Sequence, residues 1–140
     1  MITLRSLTLA SILLLISSCS AELSDYETTS PKLDIESFFS GDFVAWGMVQ
    51  DYSNQVTRRF CVELNGTWQN NQGKLKEAFY FNDGEVSYRT WMLTKLSDDQ
   101  YTGSAEDVVG IAKGGRMGYA FRWEYQLLVP IDDETYAFDM

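Results

Sequence analysis

The chain has 140 residues, enough for one domain with its own core, and 14% aromatic content with only 2 prolines sets it apart from disordered sequences. It carries 11 basic against 20 acidic residues, net −9, with no basic cluster beyond Arg58-Arg59, which argues against nucleic acid and against electrostatic docking on anionic lipid. Histidine is absent, which excludes Ser-His-Asp and Cys-His catalysis, histidine-ligated zinc and the usual neutral-pH proton shuttle.

The N-terminus opens with one positive charge, Arg5, then an apolar run from Leu7 to Ile16, then Ser17-Ser18-Cys19. The run is about half of the roughly 20 residues needed to span a bilayer as a helix. Residues 1–18 have the layout of a secretory signal, and small residues just before a cysteine resemble a bacterial lipoprotein signal. Cys19 is then the lipid-modified first residue, its acyl chains (palmitate among them) supplying the membrane affinity that an acidic surface lacks. An ordinary signal with an incidental cysteine is the alternative. Ser20 resembles the residue that directs Gram-negative lipoproteins to the outer membrane. The expected location is therefore the bacterial envelope, lipid-anchored and facing the periplasm, with an outward-facing orientation as the alternative. Residues 19–35 carry few large apolar side chains and read as a flexible tether reaching on the order of 20 Å. The β domain is expected over 36–140.

Phe38-Phe39 belong to a short helical or extended segment that plugs one end of a sheet. Asp42 to Gln50 is the first strand, apolar on both faces, so it is either covered on both sides or bent at Gly47. Asp51 to Gln55 is a turn. Val56 to Leu64 is the second strand, with Arg58 interrupting an apolar face and Cys61 read as a small buried apolar residue. Asn65-Gly66 reads as a hairpin turn into a strand starting at Thr67, broken by a turn over Asn70 to Gly73. Lys74 to Phe81 and Val86 to Leu96 are strands separated by Asn82-Asp83-Gly84. Tyr101 to Ala105 and Asp107 to Ala112 are shorter strands, with Gly103 and Gly110 as places to bend or bulge. Lys113 to Gly118 reads as a glycine-rich turn.

Tyr119 to Val129 is the strand around which the others are organised. Tyr119, Phe121, Trp123, Tyr125, Leu127 and Val129 share one face, and Arg122, Glu124 and Gln126 lie on the other, the period-two alternation of a strand with an aromatic face. Pro130 ends it, and Thr135 begins another. Recurrent strands with short turns and no helix of ordinary length predict an all-β antiparallel meander. Closure into an up-and-down barrel protects its edges; a β-sandwich is the alternative.

No sequence pattern identifies a nucleotide loop, a nucleophile elbow or a calcium loop. No metal site, cofactor or catalytic residue is therefore expected. Arg58, Glu77, Arg89 and Glu124 are charges among apolar neighbours, where a charge must be paired or solvated. They form ion pairs closing a barrel end, or they orient the polar head of a ligand.

The runs AWGMVQDYSNQVTRRF (Ala45–Phe60), Gly66-Thr67-Trp68, FNDGEVSYRTW (Phe81–Trp91), YTGSAEDVVGIAKG (Tyr101–Gly114) and GYAFRWEYQLLVP (Gly118–Pro130) together resemble the bacterial family of domain of unknown function 3833. The resemblance spans about Phe38 to Met140 and implies a lipoprotein with a lipocalin-like fold. It implies no catalytic residue, since the family has no established activity. Family members continue past a segment like TYAFDM through an Asp-Asp-Trp-Met motif and further strands, which implies a barrel incomplete at its C-terminus here. The position of Tyr119 is more often Asn in the family.

The first functional expectation is a non-enzymatic, lipid-anchored barrel binding an apolar or amphipathic small molecule, with Arg58, Arg89, Trp91, Tyr119, Phe121, Trp123 and Tyr125 as ligand-binding candidates. The second is a structural or interaction lipoprotein with a packed barrel that recognises an envelope protein of unknown identity. The third is a histidine-independent enzyme using Asp51, Asp83 or Asp107 with Arg58 or Arg89.

Overall fold

A computed structural model describes residues 21–140; residues 1–18, read as a signal, and Cys19, read as the lipidation site, lie outside the described residues. Eight strands form one antiparallel meander in sequence order: β1 (Gly41–Gln50), β2 (Val56–Gln69), β3 (Gln72–Phe81), β4 (Val86–Lys95), β5 (Gln100–Ser104), β6 (Val108–Met117), β7 (Ala120–Ile131) and β8 (Glu134–Asp139). The sheet curls into a half-barrel with a concave and a convex face. It is one sheet rather than a sandwich, and β1 and β8 do not pair with each other.

The register explains the concave face. Val62, Leu64, Leu75, Trp91, Val108 and Ala112 are buried there, and Phe43, Phe60, Phe79, Leu93, Trp123, Tyr125 and Leu127 pack against them. Each occupies the inward parity of its strand, because the pairs Leu64↔Glu77, Glu77↔Arg89, Leu75↔Trp91 and Leu93↔Gly103 carry one parity across the sheet. Glycines on this face seat aromatic rings. A Cβ on Gly114 would meet Trp123 and Phe121, and one on Gly73 would meet Trp68. β7 alternates as its sequence predicts from Phe121 onward.

Several boundaries differ from the sequence reading. Asn65-Gly66 is not a hairpin: β2 runs through it, with Gly66 paired to Gly41 and Leu75. Here glycine serves close approach, since a Cβ would collide with the Phe39 carbonyl oxygen at the end of the short helix α1 (Ile35–Phe38). The expected strand from Thr67 is the end of β2, and Gly73 lies inside β3. The expected glycine-rich turn is mostly β6, and only Gly118-Tyr119 turns into β7. Gly110, with φ +68°, sits in the irregularity between Val109 and Lys113, the bulge its position suggested. Pro130 does not end β7. Tyr125 and Met140 exchange both backbone hydrogen bonds, so Leu127, Val129 and Ile131 bond toward β8 and Pro130 faces the side where β6 has ended. Its missing N–H therefore breaks no ladder.

Helix α1 plugs one end of the half-barrel, as the Phe38-Phe39 segment suggested. Asp34 caps it by accepting from the Ser37 backbone N–H, and Ile35 is only 2% exposed. Glu36 fastens the plug to two strands, with Lys95 Nζ at 2.7 Å and the Tyr101 hydroxyl at 3.2 Å. Burial and the adjacent Glu36 carboxylate push the Tyr101 phenol up to about 12, so it stays a neutral donor. The preceding segment also touches the sheet. Leu33 N–H bonds the Gly118 carbonyl, Arg116 Nη1 donates to the Leu33 carbonyl, and Arg122 reaches Ala21 and Glu22. Over the described residues 21–35, the stretch read as a tether thus runs along β6 and β7.

The convex face of β1 is uncovered among the described residues. Val44, Met48 and Trp46 are exposed there, Trp46 by 78%. Gly47 leaves room for the Phe60 ring on the opposite face. Cys61 is a free, half-buried thiol on the convex side, in register with Trp46 and Tyr80, rather than a core residue.

Candidate functional site

Between the α1 plug and the middle of the concave face lies an open cavity of about 230 Å³. That is short of the roughly 300–1,000 Å³ typical of sites for drug-sized ligands, but the cavity is open on one side, so a fused ring or an alkyl chain can enter it and project from its mouth. Its walls are mainly aromatic. Trp91 stands edge-on to both Trp123 and Tyr125, at centroid distances of 5.5 and 5.2 Å. Trp123 stacks with Phe121 at 5.7 Å, and Phe121 meets Tyr101 edge-on at 5.8 Å. Trp68, Phe39, Ile35, Leu75 and Leu93 complete the apolar lining.

Two charged side chains, Glu77 and Arg89, also line it. They are direct cross-strand partners on β3 and β4. Arg89 is held from its far side by Asp107, before β6: Nε donates to Oδ1 at 2.9 Å and Nη2 to Oδ2 at 2.6 Å. This bidentate fork fixes the guanidinium plane. The remaining nitrogen, Nη1, stands 3.7 Å from Glu77 Oε2, an ion contact too long for a hydrogen bond. Glu77 Oε2 is buried and has no hydrogen-bond donor. Burial raises the Glu77 carboxyl above its ordinary value; Arg89 opposes the shift, Asp107 reinforces it, and the Trp91 indole opposes it weakly.

A raised carboxyl stabilises the fold fully below its unfolded value near 4.5, and that contribution is lost as pH rises through the folded value. Glu77→Gln is therefore expected to be at least as stable as the parent at neutral pH, with its advantage vanishing as pH falls below 4.5. Thermal melts of both proteins across that range check this. A variant less stable at neutral pH would mean that the contact with Arg89 outweighs desolvation.

The seven sequence-derived candidates divide into two groups. Arg89, Trp91, Phe121, Trp123 and Tyr125 line the cavity. Arg58 and Tyr119 do not. Arg58 lies over the Phe81 ring at 3.8 Å and bridges Asp83 at 2.7 Å and Glu85 at 2.9 Å, an ion cluster at the β3–β4 turn. Tyr119 is in the turn before β7, outside the alternating face, with its ring edge-on to Tyr26 at 5.6 Å and its N–H bonded to Thr29 Oγ1. Glu124 is exposed on the other face of β7. The acids paired with these arginines in the enzyme reading sit in separate places: Asp51 caps its own turn, Asp83 holds Arg58, and Asp107 holds Arg89. Among the described residues no three His, Cys, Asp or Glu side chains are grouped to hold a metal ion.

Sequence reasoning missed the lining roles of Trp68, Leu75 and Tyr101. The parity of Trp68 was legible only once β2 was known to run unbroken to Gln69; Leu75 shares a face with Phe79 by simple alternation, but that this face meets the cavity, like the inward direction of Tyr101, is set by the register of β3 with β4 and of β4 with β5.

The chain belongs to the family described as Protein of unknown function (DUF3833), whose model matches residues 13–140. Comparison with curated proteins and with solved structures gives no match.

Proposed function

We propose that this protein is a lipid-anchored envelope protein whose half-barrel binds a small apolar or amphipathic molecule in the aromatic cavity. The observation that carries the reading is the combination of an open cavity walled by Trp91, Trp123, Tyr125 and Phe121 with a charged group at its edge. Large aromatic faces around a few placed polar groups are the usual make-up of small-molecule sites. The neutral fluorophore prodan tests it. It is expected to bind with a blue-shifted emission, and Leu93→Trp, which fills the cavity from β4, is expected to abolish the signal while retaining the parent's circular dichroism. Equal binding by the folded variant would contradict the cavity as the site.

The anchor rests on the sequence before residue 20. Cys19→Ser is expected to move the protein from the membrane to the soluble fraction, because one residue carries all the acyl attachment. Retention of the variant in membranes would remove the anchor. Ser20 supports an outer-membrane address.

A second reading, a protein that recognises another envelope protein, is favoured by one observation. Val44, Trp46 and Met48 on β1, Tyr80 on β3, and Val86 and Tyr88 on β4 are all exposed on the convex face. Contiguous apolar surface of this kind marks interaction sites. Crosslinking from position 46 in cells tests it; recovery of no partner would count against it.

A further inference from the structure

The polar edge of the cavity has a sign. Among the described residues Arg89 is the sole cation lining it, and Asp107 already engages Arg89 through two of its nitrogens. Glu77 is left as a second carboxylate, its side chain 12% exposed and its Oε2 without a donor. The Glu77–Arg89–Asp107 cluster therefore holds one more carboxylate than guanidinium. An anionic head entering here would meet a guanidinium committed elsewhere and place a like charge beside Glu77. A neutral head would supply a hydrogen bond but leave the charge excess. Any cation would answer the charge excess, a protonated ammonium would also supply the missing donor, and aromatic faces attract cations through their quadrupoles, most strongly when desolvated. The chain's net charge of −9 adds a field of the same preference.

We propose, resting on the ligand-binding reading above, that the cavity selects a ligand with an ammonium head, protonated or quaternary. Glu77 is its counter-ion, and Trp91, Trp123 and Tyr125 form the aromatic wall beside it. The apolar remainder of the ligand lies toward Leu75, Leu93 and the α1 plug. Burial that lifts the Glu77 carboxyl fits this arrangement, since a cation beside it would oppose that shift.

Calorimetric titration with a matched set of probes tests the proposal: decyltrimethylammonium, decylammonium, decanol and decanoate, each below its micelle concentration. At least one of the two ammonium probes is expected to bind about tenfold more tightly than decanol, with decanoate weakest. Glu77→Gln is expected to bring the ammonium probes to within about twofold of decanol while leaving decanol unchanged. Glu124→Gln, which removes an acid from the other face, is expected to keep the full preference. Decanol or decanoate binding as tightly as the ammonium probes would overturn the proposal, as would a preference that survives Glu77→Gln or is lost in Glu124→Gln. Binding of none of the four would instead remove the cavity reading on which the proposal rests.

Discussion

Trp91→Ala is expected to cost about 3–5 kcal/mol, the range for deleting a buried aromatic side chain. Trp91 is 5% exposed at the middle of β4, and two rings, Trp123 and Tyr125, stand edge-on against it. Removing the indole takes away its transfer free energy and opens a void between β3, β4 and β7. It also forfeits two edge-to-face contacts worth about 0.5–1.5 kcal/mol each beyond burial. The cavity is already open on one side, so its walls have little behind them to collapse against the gap. For a domain with total stability of roughly 5–15 kcal/mol, such a loss is a large share. Urea unfolding followed by circular dichroism measures it; a loss below about 1 kcal/mol would mean that the wall is loosely packed and that the aromatic cavity has been misread.

Gly66→Ala is expected to cost about 1–3 kcal/mol, a large effect for one methyl group. The added carbon would collide with the Phe39 carbonyl oxygen, which is backbone and cannot rotate away. Either β2 or the end of α1 must shift. The damage is expected to concentrate at the plug: Ile35 would lose its burial, and the Phe39 N–H, bonded to the Ile35 carbonyl, would exchange faster with solvent than in the parent. Amide exchange at Phe39 reads this directly. Unchanged protection there, with unchanged global stability, would mean that α1 does not sit on Gly66.

The same glycine shows where the sequence was misleading. Asn-Gly is the strongest short-range hairpin signal because type I′ turns need positive φ at both positions. Gly66 instead meets a tertiary requirement, an approach from a helix whose position no local pattern encodes. The glycines after Lys113 misled in the same way: Gly114 is flat strand beneath Trp123 and Phe121, a seat rather than a turn. By contrast, the alternation of Phe121, Trp123, Tyr125 and Leu127 was legible because side-chain direction in a strand depends on period two alone. Of the cavity, sequence supplied Arg89 and Trp91 on β4 and the aromatic stripe of β7. It placed Tyr119 one step too far along that stripe, because the chain is still turning at Gly118-Tyr119. It placed Arg58 with Arg89 because both interrupt apolar faces. Which interruption faces the cavity depends on distance along the barrel, and that is set by register rather than by composition.

Native mass spectrometry of the full chain, purified from the cells that make it, shows whether the half-barrel carries a ligand. A discrete added mass is expected, separate from any acyl group on Cys19 and lost on denaturation, whose identity is a small apolar or amphipathic molecule. A bare mass at full occupancy, with no molecule released on unfolding, would contradict ligand binding and leave the exposed convex face of β1–β4 as the functional surface.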